Sequence, residues 1–392
     1  MLNLEGKKDP YINLPVSLVL TGDGLLLFAN NPSVIKKFKN REGSLKQGMQ
    51  SEAYNSVSVQ KLVMNSYLEE IFISLPDFLR KRMEIIDTNN LVLYGILYKK
   101  LSPSLATMLF ESNVLKDYNR KNPKSLITSL NHVDRAKLDA LRSAKKDFFD
   151  MMETEIKNEV IQRITSNKEI EEEDKLVRMR SLEKFINYID KRIWYLYFVI
   201  YQTPLKDEIK KHFADMIALY LDRTKLATHL SNLLMEFIQN AEKAHFERII
   251  VHQNMAKKSE IDKFLKNSEN RKWVIDEAKK RNQMLELSWN MNSERSSTGN
   301  NFKVQISLSN FGLIDERTRA SLASKMKSDT SEISVASFYQ DSGDTDKLGA
   351  GLGLLYISYL EDICKKEGIK FFCNIFPEPS KEKTTVKIEI TL

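Results

Sequence analysis

At 392 residues, 42% of them hydrophobic, the chain has room for two or three domains with ordinary cores, because a single core stops growing at roughly 250–300 residues. The net charge of +7 arises from 60 lysines and arginines against 53 acids with no long basic block, which speaks against the clustered footprint of a nucleic-acid binder. Two cysteines, Cys364 and Cys373, and five histidines without ligand spacing speak against a disulfide framework and against a metal held by the protein alone. No apolar run reaches the roughly 18–20 residues that cross a bilayer, the longest being residues 193–200 with Tyr201. Residues 1–10 lack a signal-peptide core, so a cytoplasmic location with no membrane span is expected.

Residues 14–20 and 25–29 read as two strands around the turn Thr21-Gly22-Asp23-Gly24. This opening resembles the first hairpin of a PAS sensor domain, but the resemblance stops where residues 57–113 read as helical. Residues 1–130 are therefore expected to form a small α+β module of unknown role, one that recognises a protein partner or, as alternatives, a small ligand or a second copy of the chain. Residues 131–204 read as a helical linker or bundle. There Phe149, Met152, Ile156, Val160 and Ile164 form a narrow apolar stripe, suited either to pairing with a second copy of the chain as a homodimer or to packing on its own domain. Residues 182–201 are apolar all round and should be covered by neighbours. Thr203-Pro204 breaks the pattern, and an amphipathic helix follows over 205–220. Residues 222–228 then lead into a helix bearing Glu236.

On that helix Glu236, Asn240 and Lys243 fall at i, i+4 and i+7, which puts a carboxylate, a carboxamide and an ammonium on one face. Taken alone, this trio also fits an ordinary amphipathic helix with Leu233, Leu234, Phe237 and Ile238 inward. Residues 257–281 read as polar and helical, and 284–289 and 302–308 as a hairpin. Residues 315–348 are serine-rich, with the composition of a lid. Gly349, Gly351 and Gly353 then open an apolar helical pattern, where a Cβ-free backbone and a helix N-terminus suit phosphate oxygens. Residues 369–376 and 384–392 supply two last strands.

This order resembles the GHKL ATPase superfamily, which groups gyrase-type, heat-shock chaperone, histidine kinase and MutL ATP-binding domains. The resemblance covers about residues 220–392 and sets an expected ATP-binding domain over 205–392. Its N-box is matched by Glu236-Phe237-Ile238-Gln239-Asn240-Ala241, and its second glycine box by Gly349, Gly351, Leu352, Gly353 and Leu354. The resemblance implies an α+β protein whose C-terminal part is a two-layer α/β sandwich, a mixed sheet with helices on one face. It implies ATP and Mg²⁺ as ligands. Asn240 would hold Mg²⁺ through ATP, Glu236 would act as base, and Lys243, Lys347 and the 349–353 backbone would face phosphate. The first glycine box departs from the pattern: its best register is Asn310-Phe311-Gly312-Leu313-Ile314, with asparagine in place of aspartate and isoleucine in place of the second glycine. Losing the charged hydrogen bond to adenine should cost on the order of 1 kcal/mol, roughly five- to tenfold in affinity.

The function expected from this resemblance is an ATP-binding regulatory protein in signal transduction that hydrolyses ATP slowly or transfers phosphate to a partner. The alternatives are a nucleotide-dependent interaction module without turnover, a decayed pocket, or an atypical histidine kinase. For the last, no histidine has the usual phosphoacceptor context; His212 follows Pro204 instead of preceding a proline, and His229 lies close to the N-box.

Overall fold

A computed structural model describes residues 11–40, 48–168, 170, 172–296, 299–314 and 352–392. The first run of elements is β1 (Tyr11–Ile12), β2 (Val16–Leu20), α1 (Gly22–Asn30), α2 (Pro32–Ile35), β3 (Phe38–Asn40), β4 (Gly48–Asn55), α3 (Ser56–Met64) and β5 (Leu68–Leu75). A helical run follows: α4 (Arg82–Glu111), α5 (Asn113–Lys121), α6 (Arg135–Ala144), α7 (Lys146–Ser166), α8 (Glu172–Tyr188), α9 (Lys191–Tyr201) and α10 (Lys206–His252). The chain closes with α11 (Ile261–Lys266), α12 (Ser268–Lys280), β6 (Leu285–Ser296), β7 (Gly299–Phe311), α13 (Leu352–Lys366), β8 (Lys370–Glu378) and β9 (Lys383–Thr391). The fold is a mixed helix and strand structure with one nine-stranded sheet among the described residues.

Two compact units result: Met1–Gly95 with Leu226–Leu392, and Ile96–Lys225. The sequence placed boundaries after residues 130 and 204 instead. The difference comes from strand pairing, because the sheet runs β1-β4-β2-β5-β6-β7-β9-β8, with β3 on β4. β5 pairs with β2 on one side and with β6 on the other, so N-terminal and C-terminal strands share one sheet. A mixed sheet was expected, yet every ladder among the described residues is antiparallel. Direct hairpins such as β6–β7 and β8–β9 impose that direction.

Two local expectations near the N-terminus are corrected. Residues 25–29 are helical, not a second strand, because Thr21 is an N-cap: its hydroxyl accepts from the Gly24 N–H at 3.2 Å and donates to the Ser66 carbonyl at 2.8 Å. Residues 68–75 are a strand, not part of a helix. Ser66 at φ +58° ends the α3 run, and Leu68, Ile71 and Ile73 are buried beside half-exposed or exposed neighbours. Gly24 lies so close to the Tyr67 carbonyl that a Cβ would overlap backbone, which cannot swing aside. Gly24→Ala is expected to lose about 1–3 kcal/mol of stability, read from the urea midpoint at unchanged slope.

In the first unit, alternation buries one face of the sheet. Leu285, Leu287 and Trp289 of β6, Val304, Ile306 and Leu308 of β7, and Ile388 and Ile390 of β9 are all buried. Helices α4 and α10 reach that face through a polar chain. The Trp289 indole donates to Asn89 at 3.0 Å, the Asn89 amide donates to Ser231 at 2.8 Å, and Ser231 donates to Asn90 at 3.0 Å. Buried polar groups satisfied in this way fix the register of helix on strand. The other face carries ion pairs across strands, Lys383–Glu286 and Lys303–Glu389, both at 2.8 Å.

The second unit is helical. The α7 stripe, Phe149, Met152, Ile156, Val160 and Ile164, is wholly buried within the chain, with Phe149 stacked on Phe198 of α9 at 5.1 Å. Trp194 and Tyr197 of α9 pack on Phe213, which explains the continuous apolar run there. α9 ends at Tyr201 and α10 begins at Lys206, as the Thr203-Pro204 break requires. α10 itself is a single 47-residue helix, not two, since residues 222–228 contain no glycine or proline and the Thr224 hydroxyl bonds back to the Leu221 carbonyl. No helix among the described residues is long and apolar enough to cross a membrane.

Candidate functional site

The last seven turns of α10 carry the predicted helix motif. Leu233, Leu234, Phe237 and Ile238 are buried, while Glu236 is half-buried and Asn240 and Lys243 are exposed, so the three polar groups share an accessible face. Partial burial pushes the Glu236 carboxyl above its ordinary pKa, and the charge of Arg82 offsets part of that rise. Lys243 pairs with Asp262 of α11 at 2.9 Å, both side chains being more than half exposed. Such a pair contributes about 0–1 kcal/mol and exchanges readily for another anion.

The first glycine box ends β7. Gly312 sits at φ +102°, a conformation that favours glycine, and its N–H donates to the Glu382 carbonyl at 2.5 Å. The Thr384 hydroxyl donates to the Gly312 carbonyl at 2.7 Å and accepts from the Ile314 N–H at 3.1 Å. Asn310 pairs with Thr384 across the β7–β9 ladder and shares the parity of the buried Leu308, Ile306 and Val304, which puts it on the helix-covered face. There the helix and the end of β7 touch: the Arg248 guanidinium of α10, eight residues beyond Asn240, fills the space over the Gly312 α-carbon, and a Cβ on Gly312 would overlap it.

Lys347, Gly349 and Gly351 lie outside the described residues, as does the expected lid over 315–348. Leu352 and Gly353 open α13. The distance between Asn240 and the 349–351 segment therefore also lies outside what is described. Among the other histidines, His212 is exposed and lines a cleft of about 500 Å³ in the second unit with Ser104, Thr107, Glu111 and Glu208. No group of three or more histidine, cysteine or acidic side chains suited to a metal occurs among the described residues.

Three residues of this region escaped the sequence reading. Glu242 is buried and accepts from the Phe78 N–H at 2.9 Å, the Leu79 N–H at 3.4 Å and Arg271 of α12 at 2.7 Å. Arg271 also bonds Asp77 at 2.9 Å and lies over the Phe246 ring at 5.1 Å. Burial pushes the Glu242 carboxyl up, while the hydrogen bond and charge of Arg271 hold it down. The signal was available, since Glu242 stands four residues after Ile238 and four before Phe246, on the inward stripe. His245 is buried too, and burial pushes its imidazole down to about 4. Arg248 gave no signal, because a lone arginine on a charged helix reads as solvated surface.

Over 388 residues the chain is 25% identical to an uncharacterized protein of Treponema pallidum (strain Nichols), an alignment that covers 97% of this chain and 98% of the relative. No solved structure matches. The pattern of a family of unknown function, DUF8084, matches residues 7–392, and the chain belongs to that family.

Proposed function

We infer that the first unit binds a purine nucleoside triphosphate with Mg²⁺ in a GHKL-type sandwich, ATP being the ligand the resemblance implies, and that it turns the nucleotide over slowly or passes phosphate to a protein partner. The observation that carries this reading is the contact of Arg248 with Gly312, which joins the helix of Glu236 and Asn240 to the first glycine box. The order α10, α11, α12, β6, β7, α13, β8, β9, with β7 beside β9, supports it further.

The residues present suit such a ligand. Asn240 offers an exposed amide oxygen, and Mg²⁺ held mainly by phosphates and water asks the protein for few ligands. Lys243 can exchange its surface carboxylate for a phosphate oxygen. A half-buried Glu236 with a raised pKa is a stronger base, once ionised, than a solvated glutamate, and its task is to take the proton of the attacking hydroxyl or water. When bound, Mg-ATP supplies the transferable phosphoryl group and neutralises its charge.

Titration calorimetry with ATP and Mg²⁺ tests the reading. Wild type should bind saturably, and Asn240→Ala should abolish the Mg²⁺-dependent part of the affinity. Glu236→Ala should keep binding and lose phosphate release by about 100-fold or more. No saturable binding of either Mg-ATP or Mg-GTP by the folded wild type would sink the proposal. A second reading, a nucleotide-ordered interaction module without turnover, is favoured by Asn310 and Ile314, which replace the aspartate and second glycine of the family pattern. It predicts wild-type binding with no phosphate release above background.

A further inference from the structure

We propose that Arg248 is a base-reading residue which, together with Asn310, selects a 6-oxopurine nucleotide, that is guanine, over adenine. This rests on the nucleotide-site reading above.

Several donors and acceptors at the end of β7 are already committed. The Gly312 N–H is committed to the Glu382 carbonyl, and the Gly312 carbonyl to Thr384. The Thr384 hydroxyl is used twice, by Gly312 and by the Ile314 N–H. Ser309, on the opposite face, is bonded to Thr385 at 2.8 Å. Left uncommitted on the helix-covered face, among the described residues, are the guanidinium of Arg248 and the amide of Asn310. Among the described residues neither side chain has an ion-pair or hydrogen-bond partner. The carboxylate of its neighbour Glu247, whose charge acts on Arg248, is engaged with Lys258 at 3.2 Å.

Among the described residues, the uncommitted side chains of this corner offer N–H donors, five from the Arg248 guanidinium and two from the Asn310 amide. An arginine fork matches the O6 and N7 acceptors of guanine, whereas adenine presents a 6-amino donor where guanine has O6. An aspartate at position 310 would accept from that amino group; the asparagine found here can turn its NH₂ toward O6 instead. The departure from the family pattern and the placement of Arg248 thus point to the same base. The glycine is part of the arrangement, since any side chain at 312 would displace the guanidinium.

The test is the ratio of Mg-GTP to Mg-ATP affinity, measured by competition against a fluorescent nucleotide on the full chain. Wild type should prefer GTP by about tenfold. Arg248→Ala should bring the ratio near one by weakening GTP alone, Arg248→Lys should retain part of the preference, and Asn310→Asp should swing it toward ATP. Arg248 is exposed, so these variants should fold, which circular dichroism checks. Saturable ATP binding with a wild-type ratio at or below one, or an unchanged ratio in Arg248→Ala, overturns the base assignment and leaves the nucleotide site standing. Failure of both nucleotides to bind overturns the two together.

Discussion

Replacing Glu242 with alanine is expected to lower the unfolding free energy by about 3–5 kcal/mol, the range seen when one partner of a buried ion pair is removed. The carboxylate is 1% exposed and satisfies two backbone N–H groups at residues 78 and 79 besides Arg271. Its loss leaves those donors without their acceptor and Arg271 with Asp77 alone. Glu242→Gln keeps an acceptor for the Phe78 N–H and should cost distinctly less. Urea unfolding of the three proteins reads the difference; an alanine variant within about 0.5 kcal/mol of wild type would show that the cluster is incidental. Because Glu242 sits between Asn240 and Lys243 on the same helix, the cluster also sets how α10 presents its accessible face.

Acidification from pH 7 to pH 4 should destabilise the protein by about 3 kcal/mol through His245 alone. Burial lowers its folded-state pKa from 6.5 to about 4; the charge of Arg248 adds to the fall, and the Gln283 backbone opposes it. Among the described residues neither ring nitrogen has a well-formed hydrogen bond. Between pH 6.5 and 4 the unfolded chain takes up a proton that the folded chain refuses, so stability falls as pH falls through that window and this contribution is flat below it. Other groups titrate over the same range, so the comparison is with His245→Leu. The stability difference between the two proteins should move by about 3 kcal/mol in favour of the leucine variant from pH 7 to pH 4. A constant difference across that range would contradict the assignment.

How much was legible follows from the range of each interaction. The inward stripe of α10, the buried α7 stripe and the β6–β7 and β8–β9 hairpins were readable because each is decided within a few turns or one short connection. β5 was misread because its position depends on β2 and β6, strands outside its own stretch of chain, while its own alternation is weak between the helices α3 and α4. The 21–24 turn was misread for a subtler reason: the same Thr-Gly-Asp-Gly string serves as a hairpin turn or as a helix cap. The acceptor at Ser66 and the close carbonyl of Tyr67 decide which.

Local periodicity and side-chain chemistry in the sequence alone determined the buried stripe of α7, the inward stripe of α10, the β6–β7 and β8–β9 hairpins, the polar face of Glu236, Asn240 and Lys243, and the altered first glycine box. Tertiary structure decided that N-terminal and C-terminal strands share a sheet, that Glu242 and His245 are buried, and that Arg248 lies over Gly312. Periods of 2 and 3.6 are properties of neighbouring residues, whereas strand partners and the neighbours of a side chain are chosen by burial summed over the whole chain.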